Sequence, residues 1–312
     1  MPTARPTVSF ELYPPRTATG AAAAWETVER LAGAAPDFFS VTYGASGSSR
    51  RASRDVVQRI LAETSVTPIA HLTCVGSSRA ELARLVADLL DDGVRDFLAL
   101  RGDPPQGEPE WVPRPDGLNR ASELVALIRQ VEEARLGPAG GVSIAVAAYP
   151  SGTTHSRSQD VRALREKQDA GADFAITQVF YDAGAYVDLC TEARAAGVHL
   201  PIVAGVIPAT DPGRLTRLAE LTGVDVPPAL LDALAVEDPA LRHERGIAAT
   251  LRLIDAVLAA GAPGLHIYTF NQHRPALDVI EHLRRRIPTS HDDAWPSPAP
   301  VYPPLPQPAP TA

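Results

Sequence analysis

Glu11 interrupts an apolar, strand-forming run, SFELYPPR, that two prolines then close. A carboxylate at a strand end serves either as a general acid or base or as one half of an ion pair with an arginine. Comparable polar groups end other apolar runs along the chain. They are Thr42 and Tyr43; His71, Thr73 and Cys74; Arg101, Gly102 and Asp103; Tyr149; Thr177, Gln178 and Tyr181; and His266, Tyr268, Asn271 and Gln272. This set holds proton donors and acceptors. No cluster in it has the spacing of metal ligands, so no catalytic metal is expected. No Ser or Cys lies in a nucleophile motif. Structural readings stay open beside the chemical ones: Thr42 and Thr73 as ordinary strand residues, His71 as a satisfied core histidine, and Arg101 with Asp103 as an ion pair. The Arg-Gly-Asp tripeptide is too short a signal to carry an adhesion reading.

The chain that must position these groups has 312 residues, 45% hydrophobic and 21% charged, with a formal net charge of −8. That balance argues against a nucleic-acid-binding surface, which reads as basic. Cys74 and Cys190 match no zinc or redox spacing and are expected to be free thiols in a reducing compartment. No signal-peptide core opens the sequence, and no apolar run approaches the roughly 18 residues of a membrane span. A cytoplasmic protein with no membrane contact is expected.

Apolar runs alternate with amphipathic helical stretches. TVSFELY, FFSVTYG, TPIAHLTC, FLALRG, SIAVAAYP, FAITQVFY, PIVAGVIP and LHIYTF each precede a helical pattern. In SRAELARLVADLLDDG, Leu82, Leu85, Val86 and Leu89 fall at i, i+3, i+4, i+7, and Gly93 stands where a helix-ending glycine belongs. Helices are expected near 21–34, 51–63, 118–135, 158–170, 185–196 and 275–286, with three between residues 212 and 260. Many of the strand runs are rich in Val, Ile, Ala and Phe, as parallel strands buried on both faces require. Eight such units predict an α/β fold of the (β/α)8 TIM barrel type over residues 1–287. A doubly wound sheet is the alternative, weakened because no G-x-G-x-x-G follows any strand. Residues 288–312 are proline-rich without period and read as a flexible tail. In such a barrel the carboxyl ends of the strands converge on one mouth, so the polar residues above are expected to meet there.

The series FELYPPR, FFSVTYGASGSSR, PIAHLTC, LALRGDPP, VAAYP, DAGADFAITQVFYD, GVIP and LHIYTFN runs in this order to about residue 286. In that order it resembles the methylenetetrahydrofolate reductase family in its short bacterial form. The resemblance implies reduction of 5,10-methylenetetrahydrofolate to 5-methyltetrahydrofolate with NADH or NADPH, in typical members through bound FAD. It implies roles as well. Glu11 matches the acid that protonates the folate, provided burial raises its pKa toward neutrality. Asp103 matches an aspartate beside the hydride donor and Gln178 a glutamine that holds the pterin. Tyr268 lies on the folate side, and Arg214 and Arg274 are candidates for its anionic glutamate tail. Thr42, His71, Leu100, Arg101, Gly102, Asp103, Ala147, Tyr149, Asp160 and Lys167 match flavin contacts.

Other positions depart from the family. Arg120 stands where a tyrosine is usual, and Ala163 and Glu166 replace an asparagine and an arginine. The SGTTHSRS loop is shorter than usual and lacks E-x-H-P. Arg214 and Leu218 replace a glutamine and a phenylalanine, and Gln272 replaces an arginine. The changes gather on cofactor contacts while Glu11, Asp103 and Gln178 are kept. The expectation is weak or absent FAD binding, with hydride passing directly from NAD(P)H. The alternatives are a conventional FAD-dependent member, a pterin-using transferase or deazaflavin reductase on a similar barrel, and a non-catalytic folate-binding barrel. The oligomeric state is open.

Overall fold

A computed structural model describes residues 5–15, 17–43, 47–103, 112, 114–138, 140–151 and 155–286. Eight strands carry the fold: β1 (Thr7–Leu12), β2 (Phe38–Val41), β3 (Thr67–Thr73), β4 (Asp96–Leu100), β5 (Ser143–Ala148), β6 (Phe174–Thr177), β7 (Ile202–Val206) and β8 (Gly264–Tyr268). Each pairs in parallel with the next, and β8 returns to β1, closing the barrel. Helices α1 (Ala18–Ala32), α2 (Gly47–Glu63), α3 (Arg79–Asp91), α4 (Ala121–Leu136), α5 (Arg157–Asp169) and α6 (Ala183–Ala195) follow β1 to β6 in turn. Three helices, α7 (Pro212–Thr222), α8 (Pro228–Leu234) and α9 (Pro239–Ala259), separate β7 from β8, and α10 (His273–Arg286) ends the described chain. The protein is a (β/α)8 TIM barrel.

Local chemistry explains where the helices start. Ser78 and Glu81 form a capping box at α3, satisfying two backbone donors that the first turn leaves free. Asp211 and Asp238 cap α7 and α9, each followed by proline at the first helical position. α4 begins at Ala121, later than the apolar pattern alone indicates. Arg120 is still extended, and the Glu123 carboxylate takes the Asn119 backbone N–H at 2.7 Å.

Alternation along each strand builds two cores. One set, including Phe10, Phe39, Leu72, Phe97, Val146 and Ile267, packs against the helices. The other, Ile69, Leu98, Ala145, Ile176 and Val203 with Phe38, Leu100 and Phe174, fills the barrel interior. Register then assigns the polar positions. His71 pairs with Leu98, Glu11 with Ser40 and Tyr268, and Ser9 with Phe38 and His266, so all of these face inward. Among the described residues no helix is long and apolar enough to cross a membrane. The expected tail, residues 288–312, lies outside the described residues, as do 44–46, 104–111 and 152–154.

Candidate active site

Glu11 ends the inward face of β1, and 7% of its surface is exposed. It has no arginine partner among the described residues. Instead its Oε2 lies 4.0 Å from His266 Nε2, and the His71 ring and Tyr13 hydroxyl also act on it. Burial pushes the Glu11 carboxyl up, but the hydrogen bond and charge of His266, the charge of His71 and the Tyr13 hydrogen bond outweigh it. The net position is below the ordinary glutamate value. This corrects the expectation of a carboxyl raised by burial: the side chains around Glu11 hold it ionised.

His266 is 1% exposed and tightly placed. Its Nδ1 lies 2.8 Å from Ser9 Oγ and its Nε2 lies 3.2 Å from Ser40 Oγ. The ring stacks on Phe38 at 6.0 Å and meets Tyr268 edge-on at 5.3 Å. The Tyr268 hydroxyl donates to the Thr177 carbonyl at 2.7 Å. Ser9 and Ser40 were not singled out from sequence. The available signal was a small polar residue two positions before Glu11 and at the inward position of β2.

The rim between β8 and β1 is locked. Thr269 Oγ1 donates to the Glu11 carbonyl at 2.6 Å, and the Asn271 side chain brackets the Tyr13 backbone at 2.9 and 2.8 Å. Phe270 and Asn271 hold left-handed backbones, φ 49° and 55°, which cost of order 1 kcal/mol or more outside glycine. The geometry turns Phe270 onto Tyr13, ring centroids 5.7 Å apart, with the Arg214 guanidinium 5.1 Å from the Phe270 centroid. Arg214 therefore stands at this rim, while Arg274 is exposed on the first turn of α10.

On β3, His71 and Thr73 are 5% and 9% exposed, and among the described residues neither His71 Nε2 nor Thr73 Oγ1 has a hydrogen-bond partner. The satisfied-core reading of His71 thus does not hold. Burial pushes its imidazole down to about 4, so it is neutral near pH 7 and carries the charge that acts on Glu11 only at acid pH, where the carboxyl itself titrates. Thr42 follows β2, and its carbonyl accepts from Ser53 Oγ at 2.8 Å. Cys74 faces the outer core, where burial pushes its thiol up to about 12, and it leaves the mouth. Thr177 also leaves: its Oγ1 accepts from the Gly205 N–H at 2.8 Å. Tyr181 packs in a separate apolar cluster with Val179 and Ile207. Gln178 is half-buried and its Oε1 accepts from the Val179 N–H at 2.8 Å, and its amide N–H groups have no partner among the described residues.

Besides Thr42 and His71, the flavin-contact candidates lie along β4, β5 and α5. Leu100 joins the inner core, and Gly102 follows at φ 88°, where a Cβ would come within 2.9 Å of Val75. Arg101 Nε donates to the Gly102 carbonyl at 3.4 Å, and Asp103 is exposed. Lys167 is buried. Its ammonium donates to the Ala147 carbonyl at 2.8 Å and lies 5.8 Å from the Tyr149 ring centroid; burial pushes it down to about 8. Asp160 is 5% exposed, its Oδ2 has no partner among the described residues, and burial raises its carboxyl. Arg120 Nη1 bonds Glu166 Oε2 at 2.7 Å, bridging the start of α4 to α5, and Ala163 is half-buried one turn before Glu166.

Comparison with known proteins agrees with this arrangement. The sequence matches the family described as methylenetetrahydrofolate reductase over residues 1–284. It is 34% identical to the 5,10-methylenetetrahydrofolate reductase of Pectobacterium carotovorum, over 85% of this chain and 86% of that one. It is 30% identical to methylenetetrahydrofolate reductase (NADH) 1 of Zea mays, over 89% of this chain but 48% of the longer plant protein. A solved structure from Clostridium thermocellum, an uncharacterized protein that binds two copies of 5-methyl-5,6,7,8-tetrahydrofolic acid, superposes with a TM-score of 0.63. It is 15% identical over 91% of this chain and 95% of that one, a likeness of fold. With a closed barrel, a carboxylate buried at its mouth and this match across nearly the whole sequence, the chain belongs to the methylenetetrahydrofolate reductase family.

Proposed function

We propose that the protein reduces 5,10-methylenetetrahydrofolate to 5-methyltetrahydrofolate, taking hydride directly from NADH or NADPH. Protonation of N10 breaks its bond to the methylene carbon and leaves an iminium between that carbon and N5. Hydride from C4 of the dihydronicotinamide adds to the carbon, giving the N5-methyl group and the oxidised nucleotide. One proton and one hydride are consumed per turnover. The observation that carries the proposal is Glu11, buried at the mouth of a barrel whose sequence matches the reductase family over residues 1–284.

Glu11 supplies the proton. Ionised in the free site, it takes one up when a bound folate excludes water and deepens its desolvation. Gln178 offers unpartnered amide N–H groups to the pterin, and Asp103, on the rim after β4, offers a carboxylate acceptor. Tyr268 lies on the folate side of the mouth. Arg214 at the β8–β1 rim, with Arg274, would receive the anionic glutamate tail.

The residues present do not fit FAD well. The guanidinium of Arg120 is committed to Glu166, and Lys167 to Ala147. The Arg120–Glu166 bridge is exposed and stabilises the fold by less than about 1 kcal/mol. Its consequence is local. A pyrophosphate approaching α5 meets a carboxylate where the family has an arginine, losing a charge-assisted bond worth about 1.5–3 kcal/mol. That weakens flavin by roughly tenfold to a hundredfold before repulsion is counted.

The test is an absorbance spectrum and an assay on protein purified without added flavin. Methylenetetrahydrofolate-dependent oxidation of NADH or NADPH by colourless protein is expected. A stoichiometric flavin spectrum would return the protein to the conventional FAD-dependent reading. Folate binding without oxidation of either nucleotide would favour a binding barrel or a deazaflavin donor.

A further inference from the structure

A cavity of about 270 Å³ lies between α2 and α3 against β2 and β3, away from α4 and α5; of the expected flavin contacts, His71 lines it. Its wall is apolar at Val41, Val57, Leu85 and Leu89, and Tyr43 and Arg50 stand toward the mouth. His71 lines this cavity and also faces the barrel interior through its register with Leu98. The cavity and the active-site mouth therefore share one residue.

Two of the six buried side-chain polar atoms without a partner among the described residues belong to residues of this wall, His71 Nε2 and Arg50 Nε, and a third, Thr73 Oγ1, lies two residues beyond His71 on the inward face of β3. Leaving such an atom unpaired costs about 1–3 kcal/mol, so two on one wall with a third beside them at the mouth call for a ligand that pairs them. The charges beside them are uneven. Arg54 is committed to Asp92 at 2.5 Å, and Glu81 to the Ser78 cap. Arg50 spends one nitrogen on Ser77 at 2.9 Å and lies 5.7 Å from the Tyr43 ring centroid. Arg51, at the cavity edge, makes no ion pair among the described residues.

We propose that this cavity receives the phosphates and adenosine of the pyridine nucleotide, whose nicotinamide carboxamide pairs with His71 and Thr73 at the barrel mouth. The inference rests on the flavin-free reading above. A carboxamide carries one donor group and one acceptor, the complement of a neutral ring nitrogen and a hydroxyl. An arginine fork suits a phosphate, and an apolar slot with a tyrosine suits a planar base. The folate glutamate tail is the other anionic candidate. It has no planar base to fill an apolar slot, and its own candidate cations, Arg214 and Arg274, lie on α7 and α10.

The test uses full-length protein purified without flavin and titrated directly with NADH by nucleotide fluorescence. Arg50→Glu and the cavity-filling Leu85→Trp are each expected to weaken NADH by about tenfold or more, the loss of at least one charge-assisted bond or of the base slot. Arg50→Lys, which keeps the charge without the fork, is expected to fall between. The KM for methylenetetrahydrofolate should stay within about twofold, and reduced nicotinamide mononucleotide, lacking the adenosine half, should bind Leu85→Trp as it binds the unmodified protein. Unchanged NADH affinity in Arg50→Glu and Leu85→Trp would overturn the inference alone. So would a rise in folate KM with NADH affinity intact, which would place the glutamate tail here. Flavin in the purified protein, reduced by NADH, would overturn the flavin-free reading and this inference with it.

Discussion

Glu11 combines deep burial with ionisation because histidine and tyrosine, rather than arginine, surround it. An arginine would hold the carboxylate permanently; His266 at 4.0 Å leaves it able to take a proton when a ligand closes the mouth. Glu11→Gln keeps the shape and removes the proton. It is expected to lower kcat by roughly 10²–10⁴-fold, the usual contribution of a general acid. NADH affinity, followed by fluorescence, should change by less than about twofold; a comparable loss of nucleotide affinity would mean that Glu11 positions the nucleotide instead. His71 carries a separate pH signature. The unfolded chain protonates this residue near 6.5, the folded chain only near 4. Its contribution to stability is therefore complete above about pH 6.5 and is lost as the pH falls toward 4, in total about 3 kcal/mol. Glu11, held low, adds a loss of the same sign below its ordinary value. Urea unfolding of His71→Gln across this window should show a shallower decline than the unmodified protein. Equal slopes would contradict the neutral, desolvated state of this imidazole.

At the scale of the elements, β6, β7 and β8 meet at Gly205. A Cβ there would overlap the Thr177 carbonyl oxygen and come within 2.9 Å of the Tyr268 ring. That carbonyl also accepts the Tyr268 hydroxyl, so Gly205→Ala should displace Tyr268. A stability loss of about 1–3 kcal/mol is expected in thermal unfolding, with a raised KM for methylenetetrahydrofolate and an unchanged NADH affinity. On the opposite side lies the α4–α5 bridge, which the proposed function sets against flavin binding. Exchanging it in the double variant Arg120→Tyr with Glu166→Arg restores a phosphate partner. Flavin affinity, measured by quenching of added FAD, is expected to rise by roughly tenfold to a hundredfold. No gain would show that the α4–α5 bridge is not what opposes flavin.

For the whole molecule, barrel closure is the decisive event. It sets β8 beside β1 and so brings His266 and Tyr268 to Glu11 across most of the chain length. The described chain ends at α10, where Arg284 donates to the Ala34 carbonyl at 3.0 Å; Ala34 precedes β2, on the side of the barrel away from the mouth. A chain ending after residue 287 is accordingly expected to keep kcat and both KM values within about twofold, as a terminus far from the site should. A larger change in either KM would assign residues 288–312 a part in binding.

The sequence by itself determined the barrel, because eight apolar runs with helical patterns between them have few ways to bury both faces of a parallel sheet. It also placed Glu11, His71, Gln178 and Tyr268 at strand ends, since the period of two makes inward positions readable. Only the tertiary structure decided what those positions do to one another. Cys74 and Thr177 left the mouth because strand alternation turned them outward. Glu11 came out ionised because its neighbours are His266 and His71, contributed by β8 and β3. The orphaned atoms of His71, Thr73 and Arg50, and the pairing of Arg120 with Glu166, join segments far apart in sequence. Charge and hydrogen bonding act over a few ångströms, and only the folded chain decides which groups come that close.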